Sequence, residues 1–229
     1  MPMLLSLNTC GNTASVALGV AEPKGVKILA TAELAARTYS ARLIPEIAAL
    51  LQKQQATMSD IEAVVVVNGP GSFTGIRVGV STAKGLSEGA GIPLIAVSRL
   101  ALLAHASGLP HVLAAVDAGR GDFYVGEYRN GTSLGETLMT AEQTVTAATQ
   151  PGAGVLVCDE SRAGDASASA CTALALCGPI YVQPPDAAEA LRFAMTRFHA
   201  RDFDDPETLD ANYLRRSDAE VVRAARVGV

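Results

Sequence analysis

Ala63-Val64-Val65-Val66-Val67-Asn68-Gly69-Pro70-Gly71-Ser72-Phe73-Thr74-Gly75-Ile76-Arg77-Val78-Gly79 is the stretch around which the rest of the chain is organised. Its first five residues form an apolar, mostly β-branched run, the mark of a strand covered on both faces. A Gly-rich loop, Asn68 to Gly75, leads into a helix predicted over about Ile76 to Gly89. A buried strand turning through glycines into a helix N-terminus is the frame of an anion site, because backbone N–H groups converge there with the helix dipole behind them. The spacing fails the familiar signatures. Thr74 stands where a Walker loop needs its second Gly, and a dinucleotide fingerprint misses by one residue. Two readings stay open: a phosphate loop built on Gly69, Gly71, Ser72 and Thr74, with Asn8 and Thr9 from the first strand beside it, or a sharp turn that lets strand and helix pack closely.

Within that helix Gly75, Gly79, Ala83, Ser87 and Gly91 recur every four residues and leave one face without bulk. Each glycine costs roughly 1 kcal/mol of helix propensity relative to Ala, so a close approach of another element has to offset it. That element is either the chain's own sheet or a helix of another subunit. Upstream, Ser40 to Gln55 reads as an amphipathic helix with Leu43, Ile47, Leu50 and Leu51 on one face. Ser40 is its predicted N-cap, and Pro45 predicts a later start or a slight kink. Leu43, Ile44, Ile47 and Leu51, together with Gly75, Ile76, Gly79, Val80 and Ala83, make up the predicted partner surface.

The chain opens with three predicted strands, Leu4 to Asn8, Ala14 to Val20 and Val26 to Leu34, separated by turn residues. The N-terminal run lacks a cationic lead and breaks at Asn8, so it reads as a strand and not a signal peptide. Leu94 to Val97 is a short strand and Ser98 to Ser107 a short helix. The pattern then restarts with strands at Val112 to Asp117, Asp122 to Arg129 and Ser133 to Met139. A helix at Ala141 to Thr149, a strand at Val155 to Cys158 and a helix at Asp186 to Ala200 follow. This order predicts an α/β fold of two β-β-β-α-β-α lobes, the second degenerate: residues 1–100, then 101–215, then a tail 216–229. Residues 161–178, rich in Ala, Ser and Cys, read as a weak helix or a surface segment, and 202–208 receive no structure.

The 229 residues carry 18 Lys and Arg against 23 Asp and Glu, a net charge of −5. No basic stripe is visible, so nucleic acid is expected to be reached only through a partner. The four cysteines show neither CxxC spacing nor a disulfide framework, which points to a reducing, cytoplasmic setting. No apolar stretch is long enough for a membrane span. His105, His111 and His199 lack ligand spacing, so no metal is expected. Cys10, Ser72 and Lys84 form no nucleophile constellation, and no catalytic residue is assigned. Asp117 with Arg120 reads either as a second phosphate loop or as the closure of a hairpin.

The segment Asn68 to Leu103 closely resembles the signature of the TsaB family. Looser matches occur at Leu4 to Thr9, Arg37 to Leu51, Asp117 to Tyr124 and Tyr213-Leu214-Arg215. The resemblance implies an actin-like ATPase fold (ribonuclease H-like) and an accessory role in attaching threonylcarbamoyl to adenosine 37 of tRNA. It implies as partners a TsaD-like catalytic subunit and a TsaE-like ATPase, with a homodimer when the chain is alone. It implies no resident cofactor, nucleotide being admitted only at a complex interface. The first-strand acid of many actin-like ATPases is Asn8 here. The rival readings are a free-standing nucleotide-dependent carbamoyltransferase or peptidase of the same superfamily, and a plain homodimeric structural protein.

Overall fold

The computed structural model describes residues 1–35, 39–159 and 174–215. The first sheet is built from β1 (Met3–Asn8), β2 (Ala14–Glu22), β3 (Gly25–Leu34), β4 (Ile61–Val67) and β5 (Leu94–Val97), in the order β3-β2-β1-β4-β5. The second is built from β6 (His111–Gly119), β7 (Asp122–Arg129), β8 (Thr132–Thr140), β9 (Val155–Asp159) and β10 (Ile180–Val182), in the order β8-β7-β6-β9-β10. The two orders are the same. In each sheet an antiparallel meander is followed by a strand parallel to its first member, then by one more parallel strand. The duplication expected from the element order is therefore real in the backbone, and the architecture is the actin-like one.

The helices are α1 (Tyr39–Lys53), α2 (Phe73–Ala90), α3 (Arg99–Ala106), α4 (Ala141–Thr149) and α5 (Ala187–His199). Val64 to Val67 and Leu4 to Leu7 are buried at every position. A strand buried at consecutive residues has both faces covered. α1 and α2 pack together on the first sheet, while α5 lies across β1 to β5 and touches α3, so two helical layers enclose that sheet. In the second sheet the faces separate cleanly. Val112, Ala114 and Val116 join Leu100, Leu103 and Ala104 of α3, whereas Leu113 and Ala115 join Phe123, Val125 and Leu156 in a second cluster, against which Val145 of α4 packs. The helix that follows each sheet thus packs on the other one: α3 follows β5 and covers the second sheet, and α5 follows β10 and covers the first.

Several expectations shift. α2 begins at Phe73, three residues early, because Ser72 caps it and accepts from the Gly75 amide at 3.3 Å. Thr74 and Gly75 are therefore helical, not loop. α1 starts at Tyr39 and runs through Pro45, so Ser40 is inside the helix and the later start does not occur. A 3₁₀ turn at Met58–Asp60 and strand β10 are additions to the predicted elements. Of the predicted segment 161–178, residues 161–173 fall outside the described residues; Leu174 to Gly178 form a turn before β10. Residues 202–208, expected to be structureless, are held: Asp204 donates its amide to Leu94 and accepts from the Ala96 amide.

Candidate functional site

The loop from Asn68 to Ser72 faces the turn between β1 and β2, and its glycines are explained by what they touch. A Cβ on Gly71 would lie 2.2 Å from the Cys10 carbonyl oxygen, and one on Gly69 would lie 2.9 Å from that of Asn212. Backbone packs on backbone there, which only Gly permits. The Ser72 amide donates to the Cys10 carbonyl at 2.9 Å, and the Arg99 amide donates to that of Gly69 at 2.6 Å. Thr9 donates its hydroxyl to the Gly75 carbonyl at 2.6 Å. Asn8 donates to the Pro185 carbonyl at 2.7 Å and accepts from the Cys10 amide at 3.1 Å. An aspartate at position 8 could not make the first of these bonds, since a carboxylate would face a carbonyl.

Of the two readings of the loop, the geometry is that of a packed turn. Asn8, Thr9, Gly69, Gly71 and Ser72 are engaged with the chain's own groups, and Thr74 sits exposed on the first turn of α2. The residue that fills the position in front of the loop is Arg99. It is 7% exposed, donates to the Cys10 carbonyl at 3.2 Å and pairs with Asp159 of β9 at 2.8 Å. Its guanidinium therefore ties the first sheet's turn to the second sheet. Sequence reasoning placed no basic residue near Cys10, because Arg99 is 89 positions away. Burial pushes the Cys10 thiol up to about 12, against the opposing pull of Arg99. A thiol held protonated in this way is a core group and not a nucleophile.

Across the cleft, Asp117 accepts from the Gly119 amide at 2.5 Å, closing the turn that leads to Arg120 at φ +62° and the β6–β7 hairpin. The cleft that remains between the two turns is a cavity of about 230 Å³ lined by Gly11, Asn12, Ser72, Arg99, Asp117 and Tyr124. A second cavity of about 370 Å³, lined by Asn8, Thr13, Pro185 and Asp186, shares Gly11, Asn12 and Arg99 with it. Burial raises the Tyr124 phenol, with Arg215 and Arg99 opposing. His105 stacks edge-on against Phe193, and His111 meets Glu127 at 2.8 Å. Among the described residues no three His, Cys, Asp or Glu side chains come together as a metal site, and no helix is long and apolar enough to cross a membrane.

The predicted partner surface is corrected by its burial. A Cβ on Gly79 would lie 2.2 Å from the Thr9 hydroxyl, and Ala83 is fully enclosed. The small-residue stripe of α2 faces the chain's own β1–β2 turn and sheet. Gly75, Ile76 and Val80 are buried with it, as are Leu43, Ile47 and Leu51 of α1. Of the nine named residues, Ile44 alone is exposed, at 52%. The outward faces are different rows. Ala41, Ile44, Pro45 and Ala48 on α1, and Thr74, Ser81 and Gly85 on α2, are exposed, with Val78 and Thr82 half-buried. Between Ala41 and Leu50 the only charges are Arg42 and Glu46, which pair with each other at 3.6 Å.

Two β-β-β-α-β units facing each other across a cleft, with exchanged helices, define a member of the actin-like ATPase superfamily. Residues 29–163 match the family model described as TsaD, tRNA N6-adenosine threonylcarbamoyltransferase. The chain is 38% identical over 140 residues to the tRNA threonylcarbamoyladenosine biosynthesis protein TsaB of Escherichia coli K12, covering 58% of this chain and 59% of that protein. An uncharacterised protein of Mycobacterium tuberculosis H37Rv is 32% identical over 187 residues, 81% of this chain and 79% of that one. The YeaZ structure from Pseudomonas aeruginosa superposes with a TM-score of 0.72 at 25% identity, covering 93% of this chain and all of that chain. The chain belongs to the TsaB family. In its match to the Escherichia coli relative it spans about three fifths of that protein's length, and the named relatives are tRNA threonylcarbamoyladenosine biosynthesis proteins.

Proposed function

We propose that this chain is a non-catalytic accessory subunit in threonylcarbamoyl transfer to adenosine 37 of tRNA. It acts in the cytoplasm by holding a TsaD-like catalytic subunit, and with it a TsaE-like ATPase. The observation that carries this reading is that the first-strand and glycine-loop groups are bonded within the chain. The family's fold is retained, but Asn8 is bonded to Pro185, the glycine loop is packed on Cys10, and Arg99 is paired with Asp159. A fold that keeps both lobes while engaging these groups internally is useful as a shape for another protein. No resident cofactor is assigned, nucleotide entering only at a complex interface, and with a net charge of −5 the chain meets tRNA through its partners.

The partner surface in this reading is the outward face of α1 and α2, with Ile44 and Ala48 exposed on α1 and Val78 and Thr82 half-buried on α2. Small residues there allow close helix approach, and a related subunit offering the same pair of helices would complete a four-helix contact. Self-association uses the same face, so homodimer and partner complex exclude each other. Ile44→Arg tests this. The variant is expected to keep its fold and to lose co-elution with the TsaD-like subunit on a sizing column. Retained co-elution by a folded Ile44→Arg variant places the interface elsewhere.

A further inference from the structure

The segment after α5 does more than end the chain. Leu209 accepts from the Lys84 ammonium at 3.1 Å, and the Asn212 amide donates to the Asn68 carbonyl at 2.8 Å. The Tyr213 ring lies 5.3 Å from that of Phe73, and its hydroxyl accepts from Arg77 at 2.9 Å. All of these are first-lobe anchors, on α2 and on the glycine loop. Between residues 212 and 215 the chain is also tied to the second lobe. The Asn212 side chain donates to Glu136 of β8 at 2.6 Å. Arg215 donates to the Gly119 carbonyl at 3.3 Å and to Asp122 at 2.5 Å, both on the β6–β7 hairpin. Glu136 itself accepts from Ser98 at 2.5 Å and from Tyr128, so it gathers β5–α3, β7 and the C-terminal segment on one carboxylate.

We propose that residues 212–215 are a strap that fixes the width of the cleft between the lobes. Asn212 is fastened to one wall, at the loop containing Gly69 and Gly71, and Arg215 to the other, at Gly119. Three Cα steps reach at most about 11 Å when extended. The walls cannot part beyond that length plus the reach of the Arg215 side chain without breaking the Asn212 or the Arg215 bonds. Arg99–Asp159 is a second tie between the lobes, separate from the strap. This holds for the chain alone and does not depend on which protein covers α1 and α2.

Amide exchange by mass spectrometry on the full chain tests the strap, with Tyr213→Ala/Arg215→Ala as the perturbation, which removes the bond to Arg77 at one wall and those to Gly119 and Asp122 at the other. Residues 68–77 and 117–124 are expected to exchange about tenfold faster or more, since charge-assisted bonds are removed at both. Strands 4–8 and 63–67 are expected to keep their protection. Unchanged exchange at both walls overturns the proposal. An equal rise in the strands also overturns it, because the segment would then be a general stabiliser. If the double variant does not fold, Arg215→Lys serves instead: it keeps the charge toward Asp122 but withdraws the fork from Gly119. Faster exchange confined to 117–124 supports the strap, and no change there refutes it.

Discussion

Replacing Arg99 by Met removes the charge that joins the two lobes while keeping much of the side chain's volume. Arg99 is 7% exposed, and its partner Asp159 is 7% exposed. The variant leaves a buried carboxylate without its guanidinium and takes a donor from the Cys10 carbonyl. Breaking a buried pair from one side costs about 3–5 kcal/mol. For a chain of this length that is a fall in Tm of roughly 6–20 °C. Thermal and urea unfolding followed by circular dichroism measures it. Asp159→Asn added to Arg99→Met completes the cycle, in which the pair is expected to show coupling well above the roughly 0.5 kcal/mol of independent sites. A single variant costing under about 1 kcal/mol, or strict additivity in the cycle, refutes the view that Arg99 with Asp159 ties the two lobes.

Gly79→Ala improves helix propensity by about 1 kcal/mol yet drives a Cβ into Thr9; overpacking of about 1–3 kcal/mol is set against that gain, and a net loss in urea midpoint of up to about 2 kcal/mol is expected. Ala83→Arg is expected to unfold the monomer itself, as read by a lost circular dichroism transition, because Ala83 is fully enclosed and a buried guanidinium has no partner there. Ile44→Arg, by contrast, should change stability by no more than about 0.5 kcal/mol in the same assay. Cys10 is expected to resist thiol reagents at pH 8 in the folded chain. Its folded pKa is raised, so its contribution to stability is full below about pH 9 and declines as the pH rises toward about 12, by up to about 1.4 kcal/mol per pH unit; titrating the urea midpoint from pH 8 to 11 in wild type and Cys10→Ala reads the difference.

Local patterns carried the elements far. Asp122–Arg129, Ala141–Thr149 and Leu94–Val97 are read to the residue, since turn glycines or a capping box bound them and their periodicity is unmixed. β10 escaped because three residues between Pro179 and Pro184 show no period. The start of α2 was misplaced because Gly75 looks like loop, whereas Ser72 caps the helix and Gly75 lies within it. The stripe on α2 was legible as a close approach, but spacing names a face and not what lies against it. That needed the position of Thr9, 70 residues upstream of Gly79. Arg99 was invisible for the same reason. A basic residue opening a helix after Ser98 has no sequence mark of its partner at Asp159, 60 residues on. Asn8 was legible as a departure from an acid, while its reason, the Pro185 carbonyl, came only with the fold.

Reconstituted threonylcarbamoylation of tRNA, run with the TsaD-like subunit, the TsaE-like ATPase and this chain in turn omitted or changed, tests the central claim most directly. The expected result is that modified adenosine forms only when the chain is present, persists with the folded Asn8→Ala variant whose cleft is altered, and falls to the level of omission with Ile44→Arg. Product formed by the chain without the TsaD-like subunit, or activity abolished by Asn8→Ala in a folded chain that still binds that subunit, contradicts it.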